Sequence, residues 1–377
     1  LRRQRQMCIR DRVYQSVQQA FFILLHSLYK IGCTTKKMYF RKMMTPDAIR
    51  KAQELLAEPK KIAIIHHRNP DGDALGSTLG LYHFLTKLGH DPVVLSPNEF
   101  PDFLAWLPGS ETVKVFEKDI PEGIKILDNA ELVFTLDFNH LGRTGDAMES
   151  ALRKVTAPFI MIDHHQKPDD YAVVTFSDTQ YGSTCEMVYH FIQQLGRGDL
   201  LDKTIGTCLY TGIVTDSGSF RFHTTTGTTH RIVAEFIDLG VDNSSVHSNL
   251  FDNNSPSRLK ILAQSLENMV ILPEYKTSYS FLTQEELNRL NHLKGDTEGV
   301  VNYGLSMKGI AFTAFFTENK DEGIIKISFR SKTGFDVNQY AREHFSGGGH
   351  INAAGGRSTL SMKATIQKFI ATLAHIN

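Results

Sequence analysis

Three short apolar runs in this chain each end in Asp or His, and that repetition limits what it can fold into. Lys61–His66 (KIAIIH) runs into His67-Arg68-Asn69-Pro70-Asp71-Gly72-Asp73. Glu131–Leu136 (ELVFTL) ends at Asp137, and Phe159–Ile162 (FIMI) ends at Asp163-His164-His165. Runs of this length between helical patterns read as buried parallel strands. In a parallel sheet all three clusters emerge at one edge, the carboxyl end, where open α/β sheets bind ligands. Carboxylates and imidazoles crowded there could not all stay ionised unaided. A pair of divalent cations resolves the conflict and points to a hydrolase.

The surrounding pattern is regular from Thr45. Helices are expected at Pro46–Leu56, Ala74–Leu88 (closed by Gly89), Thr184–Leu195, Lys203–Thr215 and Thr228–Leu239, with a further strand at Pro92–Leu95. Val241–Pro256 is polar and Asn/Ser-rich, although Val246, Leu250 and Phe251 could pack, and a domain boundary is expected in or just after it. Ser257–Met269 reads as a connecting helix. Beyond it strands are expected at Tyr275–Leu282, Ile310–Thr317 and Ile324–Phe329, and helices at Gln284–Leu290, Val337–His344 and Met362–Ala374. The fold class is therefore α/β: an N-terminal parallel-sheet domain (44–245), a linker and connecting helix (246–270), and a smaller C-terminal α+β domain (271–377), with the active-site cleft between the two domains.

The chain of 377 residues is long enough for this, and 41% apolar with 22% charged residues suits a globular protein. Its zero net charge conceals an asymmetry. Residues 1–44 hold ten of the 41 basic residues and one of the 41 acidic ones, leaving 31 and 40 to the remainder. An acidic body argues against electrostatic capture of long nucleic acid. It leaves phosphate substrates open, because bound metals invert the local field. Cys8, Cys33, Cys185 and Cys208 form no CxxC pair and read as free thiols in a reducing compartment. The N-terminal run Ala20–Leu25 is too short to span a bilayer and lacks a small-x-small cleavage site. Met7-Cys8-Ile9-Arg10-Asp11-Arg12 resembles a translated sequencing adapter, so residues 1–43 are expected to be a non-native or disordered extension. The expected location is the cytoplasm, with no membrane partner.

Each motif has a bland alternative. Asn69-Pro70-Asp71-Gly72 could be an ordinary turn with a capping Asp, Asp137 a strand-end cap, and Asp216, in Ile213-Val214-Thr215-Asp216-Ser217-Gly218, a helix terminator. Adjacent histidines after a buried strand are harder to explain by packing. The ordered combination is the strong feature. Carboxylates and imidazoles without thiolates suit Mn²⁺, Mg²⁺ or Zn²⁺, and the imidazoles favour Mn²⁺ over Mg²⁺. No GxGxxG or Walker sequence is present, which disfavours nucleotide cofactors.

The ordered set resembles the DHH phosphoesterase superfamily, whose name is the tripeptide at 163–165. Gly347-Gly348-Gly349-His350-Ile351-Asn352-Ala353-Ala354-Gly355 resembles the signature of its nucleotide-processing branch. The resemblance runs from about residue 45 to 377 and is nearest to the nanoRNase-like type, a bifunctional oligoribonuclease and 3′-phosphoadenosine 5′-phosphate (PAP) phosphatase. It implies two divalent metal ions, with Mn²⁺ favoured and Mg²⁺ or Co²⁺ as alternatives. His67 and Asp71 would hold one ion, Asp73, His164 and Asp216 the other, and Asp137 would bridge both. His165 would orient Asp137 or the phosphate, and Asp163 would fix His164 or the local turn. With Asp137 and His164, the resemblance makes His165 and His350 the catalytic residues. His66 is expected to face away as a structural residue, while Arg68 could reach phosphate or be solvated.

In the second domain, Gly347, Gly348 and Gly349 would form a backbone loop whose N–H groups make an anion nest, with His350 donating to the scissile phosphate or the leaving oxygen. Arg330 suits bidentate phosphate recognition, with Ser331 beside it, and Asn338 could touch a nucleotide. Asp336 and Asn338 could equally be helix caps. The implied substrates are short RNA oligonucleotides, degraded to mononucleotides by 3′–5′ cleavage, and nucleoside bisphosphates such as PAP, converted to AMP. Hydrolysis of cyclic di-AMP or its linear product is the alternative within the class, and a non-catalytic nucleotide-binding sensor the alternative outside it. Processive exonuclease activity fits less well, because no extra nucleic-acid-binding domain is present. Inorganic pyrophosphatase activity fits less well with the GGGH segment. A homodimer stays open.

Overall fold

Strands Lys61–Ile65 (β1), Leu132–Leu136 (β4) and Phe159–Asp163 (β5) have almost no polar face, and from Ile62 onward every position in them is buried. A strand of that kind needs cover on both faces, which a parallel sheet with helices on each side provides. The computed structural model describes residues 43–374, apart from Lys294, Thr333 and the side chain of His350. The expected N-terminal extension, Met43 excepted, lies outside the described residues, as do Cys8 and Cys33.

In chain order the first part comprises α1 (Pro46–Leu55), β1, α2 (Gly72–Lys87), β2 (Asp91–Ser96), β3 (Lys114–Val115), α3 (Ile120–Asn129), β4, α4 (Asp146–Leu152), β5, β6 (Val174–Ser177), α5 (Thr184–Gln194), α6 (Lys203–Asp216), α7 (Gly227–Asp238), α8 (Asn243–Phe251) and α9 (Pro256–Glu267). Its sheet is parallel throughout, in the order β3-β2-β1-β4-β5-β6. The order reverses between β1 and β4, and such a switch point opens a crevice at the strands' carboxyl ends. Alternate residues feed two cores. Ile62, Ile64, Phe134 and Ile162 pack with α2, α5 and α6, whereas Ala63, Ile65, Val133 and Phe159 pack with α3 and α4.

Helices α2 and α6 lie very close because α2 carries Gly72, Gly76 and Gly80 on one face. A Cβ at Gly76 would stand 2.5 Å from the Cys208 carbonyl, and one at Gly72 would stand 2.6 Å from Thr215 Oγ1. Cys185 and Cys208 are buried free thiols at this contact.

The second part comprises β7 (Val270–Leu272), β8 (Thr277–Leu282), α10 (Gln284–Arg289), α11 (Asn302–Ser306), β9 (Phe312–Asn319), β10 (Ile324–Ser331), α12 (Val337–His344), β11 (Gly348–His350), β12 (Ala353–Ser358) and α13 (Met362–Leu373). The sheet order is β11-β12-β10-β9-β8-β7, with β8 and β9 parallel and the other pairs antiparallel. Its core is a cluster of aromatic rings, including Phe312, Phe316, Phe329, Tyr340 and Phe369.

Two sequence expectations change. Within the polar stretch Val241–Pro256, α8 is an ordered helix that buries Val246 and Leu250 in the first core and leaves Phe251 exposed. The glycine run is not an open loop: Gly348–His350 is a strand paired with Ala353–Gly355. The reason is steric. A side chain at Gly347 would fall on the Gly355 carbonyl, and one at Gly349 would stand 2.5 Å from the Ala353 carbonyl, so only glycine permits so close a pairing.

Candidate metal centre

The carboxyl ends of β1, β4 and β5 and the carboxyl end of α6 converge at the β1/β4 switch point. After β1 the chain turns sharply. Asn69 has φ 56° and is held on both sides by Asn98, which accepts from its N–H at 2.7 Å and donates to its side-chain oxygen at 3.0 Å. Asp71 then caps α2, with Oδ1 accepting from the N–H groups of Asp73 and Ala74, both at 3.0 Å. Capping occupies that oxygen and leaves Oδ2 for another partner, so the bland and the functional readings of Asp71 coexist. Asp73, in the first turn of α2, accepts from the N–H groups of Thr184 and Cys185 at 2.6 and 2.9 Å, at the start of α5.

Asp137 sits at the centre. Its φ of 64° is uncommon for a residue other than glycine and is held by its N–H bond to the Ile162 carbonyl. Its Oδ2 lies 3.3 Å from His67 Nε2, and its Oδ1 lies 3.3 Å from His164 Nε2 and accepts from the Thr184 hydroxyl at 3.0 Å. His164 Nε2 is also 3.3 Å from Asp216 Oδ2 and 3.7 Å from Asp73 Oδ2. His165 Nδ1 is 2.7 Å from Asp163 Oδ1 and 3.7 Å from Asp137 Oδ1, so Asp163 fixes His165 rather than His164. His66 points to its own turn, with Nδ1 2.9 Å from the His67 carbonyl, and burial lowers its pKa to about 4. Arg68 is paired with Glu117 at 2.9 Å.

Two groups of three candidate ligand atoms result: His67, Asp71 and Asp137, and Asp73, His164 and Asp216. Within each group the atoms lie within 4.8 Å of one another, and a third group joins Asp137, His164 and His165. Nδ1 of His67 faces the Arg68 carbonyl and Nδ1 of His164 the Tyr181 carbonyl. A carbonyl can only accept, so both Nδ1 atoms carry a proton and Nε2 points at the carboxylates; without a cation Nε2 donates to Asp137, and a bound cation would take the place of that second proton.

Without a cation the charges are in conflict. Burial, Asp137 and Asp216 push Asp73 well above the usual carboxylate range, opposed by His164 and reinforced by Asp71. Burial raises Asp216 to about 7, opposed by His164 and reinforced by Asp71 and Asp137. Burial also acts to raise Asp137, but hydrogen bonds from His164 and His67 outweigh it and hold Asp137 well below its usual value. Burial disfavours charge on His67 and His164, yet their bonds to Asp137 win and both are raised. An oxygen-rich, partly imidazole donor set with no thiolate, crowded enough to perturb its own protonation, fits a pair of hard or borderline divalent cations.

The second sheet brings Arg330 to this centre. The guanidinium lies within electrostatic reach of Asp216, Glu298 and Asp71, and burial lowers its pKa. Asn338 is buried in the first turn of α12, where its Oδ1 accepts from Arg342 Nε and from the Gly349 N–H, and its Nδ2 lies 3.4 Å from Gln166 Oε1 of the first part. Ser331 is turned into its own domain, donating to the Phe335 carbonyl at 2.7 Å. The Gly347 and Gly349 N–H groups are bonded to Ala341 O and Asn338 Oδ1, so these two are not open to an anion. His350 ends β11, and its side chain lies outside the described structure. Sequence reasoning missed Thr184, Asn98 and Glu298. Ser183-Thr184 before an apolar helix is readable as a cap, but nothing local says which carboxylate it serves.

Residues 61–213 match the model of the DHH family, N-terminal domain, and residues 280–376 that of the DHHA1 domain. The bifunctional oligoribonuclease and PAP phosphatase NrnA of Thermus thermophilus is 29% identical over 327 residues, spanning 86% of this chain and 90% of that protein. The crystal structure of an exopolyphosphatase-related protein from Bacteroides fragilis superposes with a TM-score of 0.85 at 35% identity, covering 89% of this chain and 98% of that one. The cyclic-di-AMP phosphodiesterase GdpP of Bacillus subtilis is more distant, 23% identical over 84% of this chain and 48% of its own.

Proposed function

The chain belongs to the DHH family, with a DHHA1 domain following the DHH domain, and from that premise we propose that it is a dinuclear-metal phosphohydrolase. It cleaves short oligoribonucleotides to mononucleotides and converts PAP to AMP and phosphate. The observation that carries this reading is the pair of ligand clusters, with Asp137 of the first lying 3.3 Å from His164 of the second, and Arg330 brought to the same cleft by the other sheet. His67, Asp71 and Asp137 would hold one cation, and Asp73, His164, Asp216 and Asp137 the other, with Mn²⁺ favoured by the mixed donors. When bound, the two ions supply an activated water and neutralise charge on the phosphate. The protein's own groups do the rest. Asp137 is held in a strained conformation by Ile162 and Thr184, so it need not reorganise on binding. His165, fixed by Asp163, holds its ring 3.7 Å from Asp137. Arg330 takes a non-bridging phosphate oxygen, Asn338 and the glycine strand position the nucleotide, and His350 donates to the scissile phosphate or the leaving oxygen.

In this reading residues 44–245 form the catalytic domain, 246–270 the connection and 271–377 the substrate domain. The enzyme acts in the cytoplasm, as a monomer or homodimer. Among the described residues no helix is long and apolar enough to cross a membrane. A product assay in Mn²⁺ with a linear diribonucleotide, PAP and cyclic di-AMP tests the reading. Mononucleotides from the first and AMP from the second are expected, with loss in chelator and recovery on adding Mn²⁺. Faster cleavage of cyclic di-AMP would move the assignment to cyclic dinucleotides. Tight binding without any product would make the chain a sensor.

A further inference from the structure

We propose that Arg143 and Arg342, contributed by the two halves of the cleft, form a second phosphate subsite beside the metal centre. Its ligand is the phosphate that is not cleaved: the 5′-phosphate of a nucleoside 3′,5′-bisphosphate, or the neighbouring phosphate of a short oligonucleotide. The identity of the substrate rests on the functional reading above.

Three observations lead there. The first is position. Arg143 lies in the turn Leu141–Thr144 that follows β4 and Asp137, and its carbonyl accepts from the N–H of Arg68, the residue after His67, at 2.8 Å. Arg342 lies on α12, with Nε donating to Asn338 Oδ1 at 3.0 Å and its guanidinium against the glycine strand, where a Cβ on Gly348 would stand 3.5 Å from Nη2. Both guanidinium groups lie within electrostatic reach of His140.

The second is that the two halves touch at this spot. Asn338 Nδ2 meets Gln166 Oε1 at 3.4 Å, and the Gln166 carbonyl accepts from Asn139 Nδ2 at 2.6 Å, next to His140. Arg342 is thereby held beside the turn that carries Arg143.

The third is uncompensated charge. Among the described residues Arg143 and Arg342 have no carboxylate at salt-bridge distance, whereas Arg68 is paired with Glu117 and Arg153 with Glu149. Asp169 and Glu149 are the acidic groups that act on His140, and Glu149 is already engaged by Arg153. That leaves Asp169 as one carboxylate against two guanidinium groups, and a phosphate balances the surplus positive charge while matching the planar guanidinium fork. Arg330, by contrast, faces Asp71, Asp216 and Glu298, so its charge is balanced by the metal centre.

The test compares wild type with Arg143→Gln, Arg342→Gln and the double variant, all Mn²⁺-loaded. The substrates are PAP and adenosine 3′-monophosphate, which lacks the second phosphate. Neither arginine is buried, so the variants should fold, and thermal melts check this. The subsite predicts a KM for PAP raised about tenfold or more in each single variant, as expected for losing a charge-assisted bond. On the monophosphate the change should stay below about threefold, and Arg143→Lys should keep part of the preference. Equal losses on both substrates, or an unchanged KM for PAP, would overturn it. If wild type hydrolyses neither compound, the functional reading fails, and the subsite is judged by calorimetric affinity alone. Wild type must then bind PAP more tightly than the monophosphate, and the variants must lose that preference; absence of either result rejects the subsite.

Discussion

The two sheets hold their polar groups in opposite ways. At the edge of the parallel sheet nearly every group is pinned by backbone. Asp71 is held by the N–H groups of α2, Asp73 by those of α5, His67 and His164 by carbonyls, and Asp137 by its own strained φ. On the mixed sheet the guanidinium of Arg330 bonds only its neighbour's carbonyl among the described residues, and Arg342 stands exposed. The order resides beneath them, in interlocked aromatic rings. Chemistry that fails with a displacement of about 1 Å needs backbone-fixed groups. Gripping a nucleotide tolerates longer, adjustable side chains.

The sharpest way to break this contrast is to remove Asp137, the proposed shared ligand. Asp137→Ala should lower kcat by at least about 100- to 1,000-fold while the thermal melt is kept or raised, because a charged centre is being dismantled. Activity near wild type would end the assignment of Asp137. Next comes helix packing. Gly76→Val should cost about 1–3 kcal/mol by overpacking α2 against α6, and should weaken metal binding by parting Asp73 from Asp216. Gly348→Ala has no contact nearer than 3.5 Å and should melt like wild type. Identical melts for the two variants would contradict the close approach. On the adjustable side, Arg330→Gln should raise KM by roughly 10- to 100-fold, the worth of a charge-assisted hydrogen bond, without moving the melting temperature. A substantial drop in stability would place Arg330 in the framework instead.

The smallest expected effect is in pH. The folded-state pKa of Asp216 is raised to about 7 from 3.8, so the metal-free folded state holds this proton more tightly than the unfolded state. Its contribution therefore becomes less favourable as pH rises from about 4 through 7. The melting temperature of metal-free Asp216→Asn should gain on wild type across that window, and saturating Mn²⁺ should close or reverse the gap by replacing the proton. A gap that does not vary with pH would show that Asp216 is not held protonated.

Local sequence already marked the centre. An apolar run without a polar face must become a covered strand, so the positions of His67, Asp137 and His164 at one edge follow from three short segments. Asp216 was readable only as the end of an apolar helix. The glycine run was misread as a loop because glycine's freedom suggests turns, whereas here it permits close strand pairing. Strand β12 (AAGGRS) was missed because its small residues carry no alternation. Residue types and strand periodicity are local properties, so the order of amino acids marks the kind of chemistry. Which groups meet is a matter of packing. Asp73 reaches Asp216 because glycines let α2 and α6 approach, Thr184 reaches Asp137 across the sheet edge, and Arg330, Arg143 and Arg342 come to one cleft from separate sheets. Such meetings depend on packing between segments far apart in the chain, and no local pattern encodes that distance.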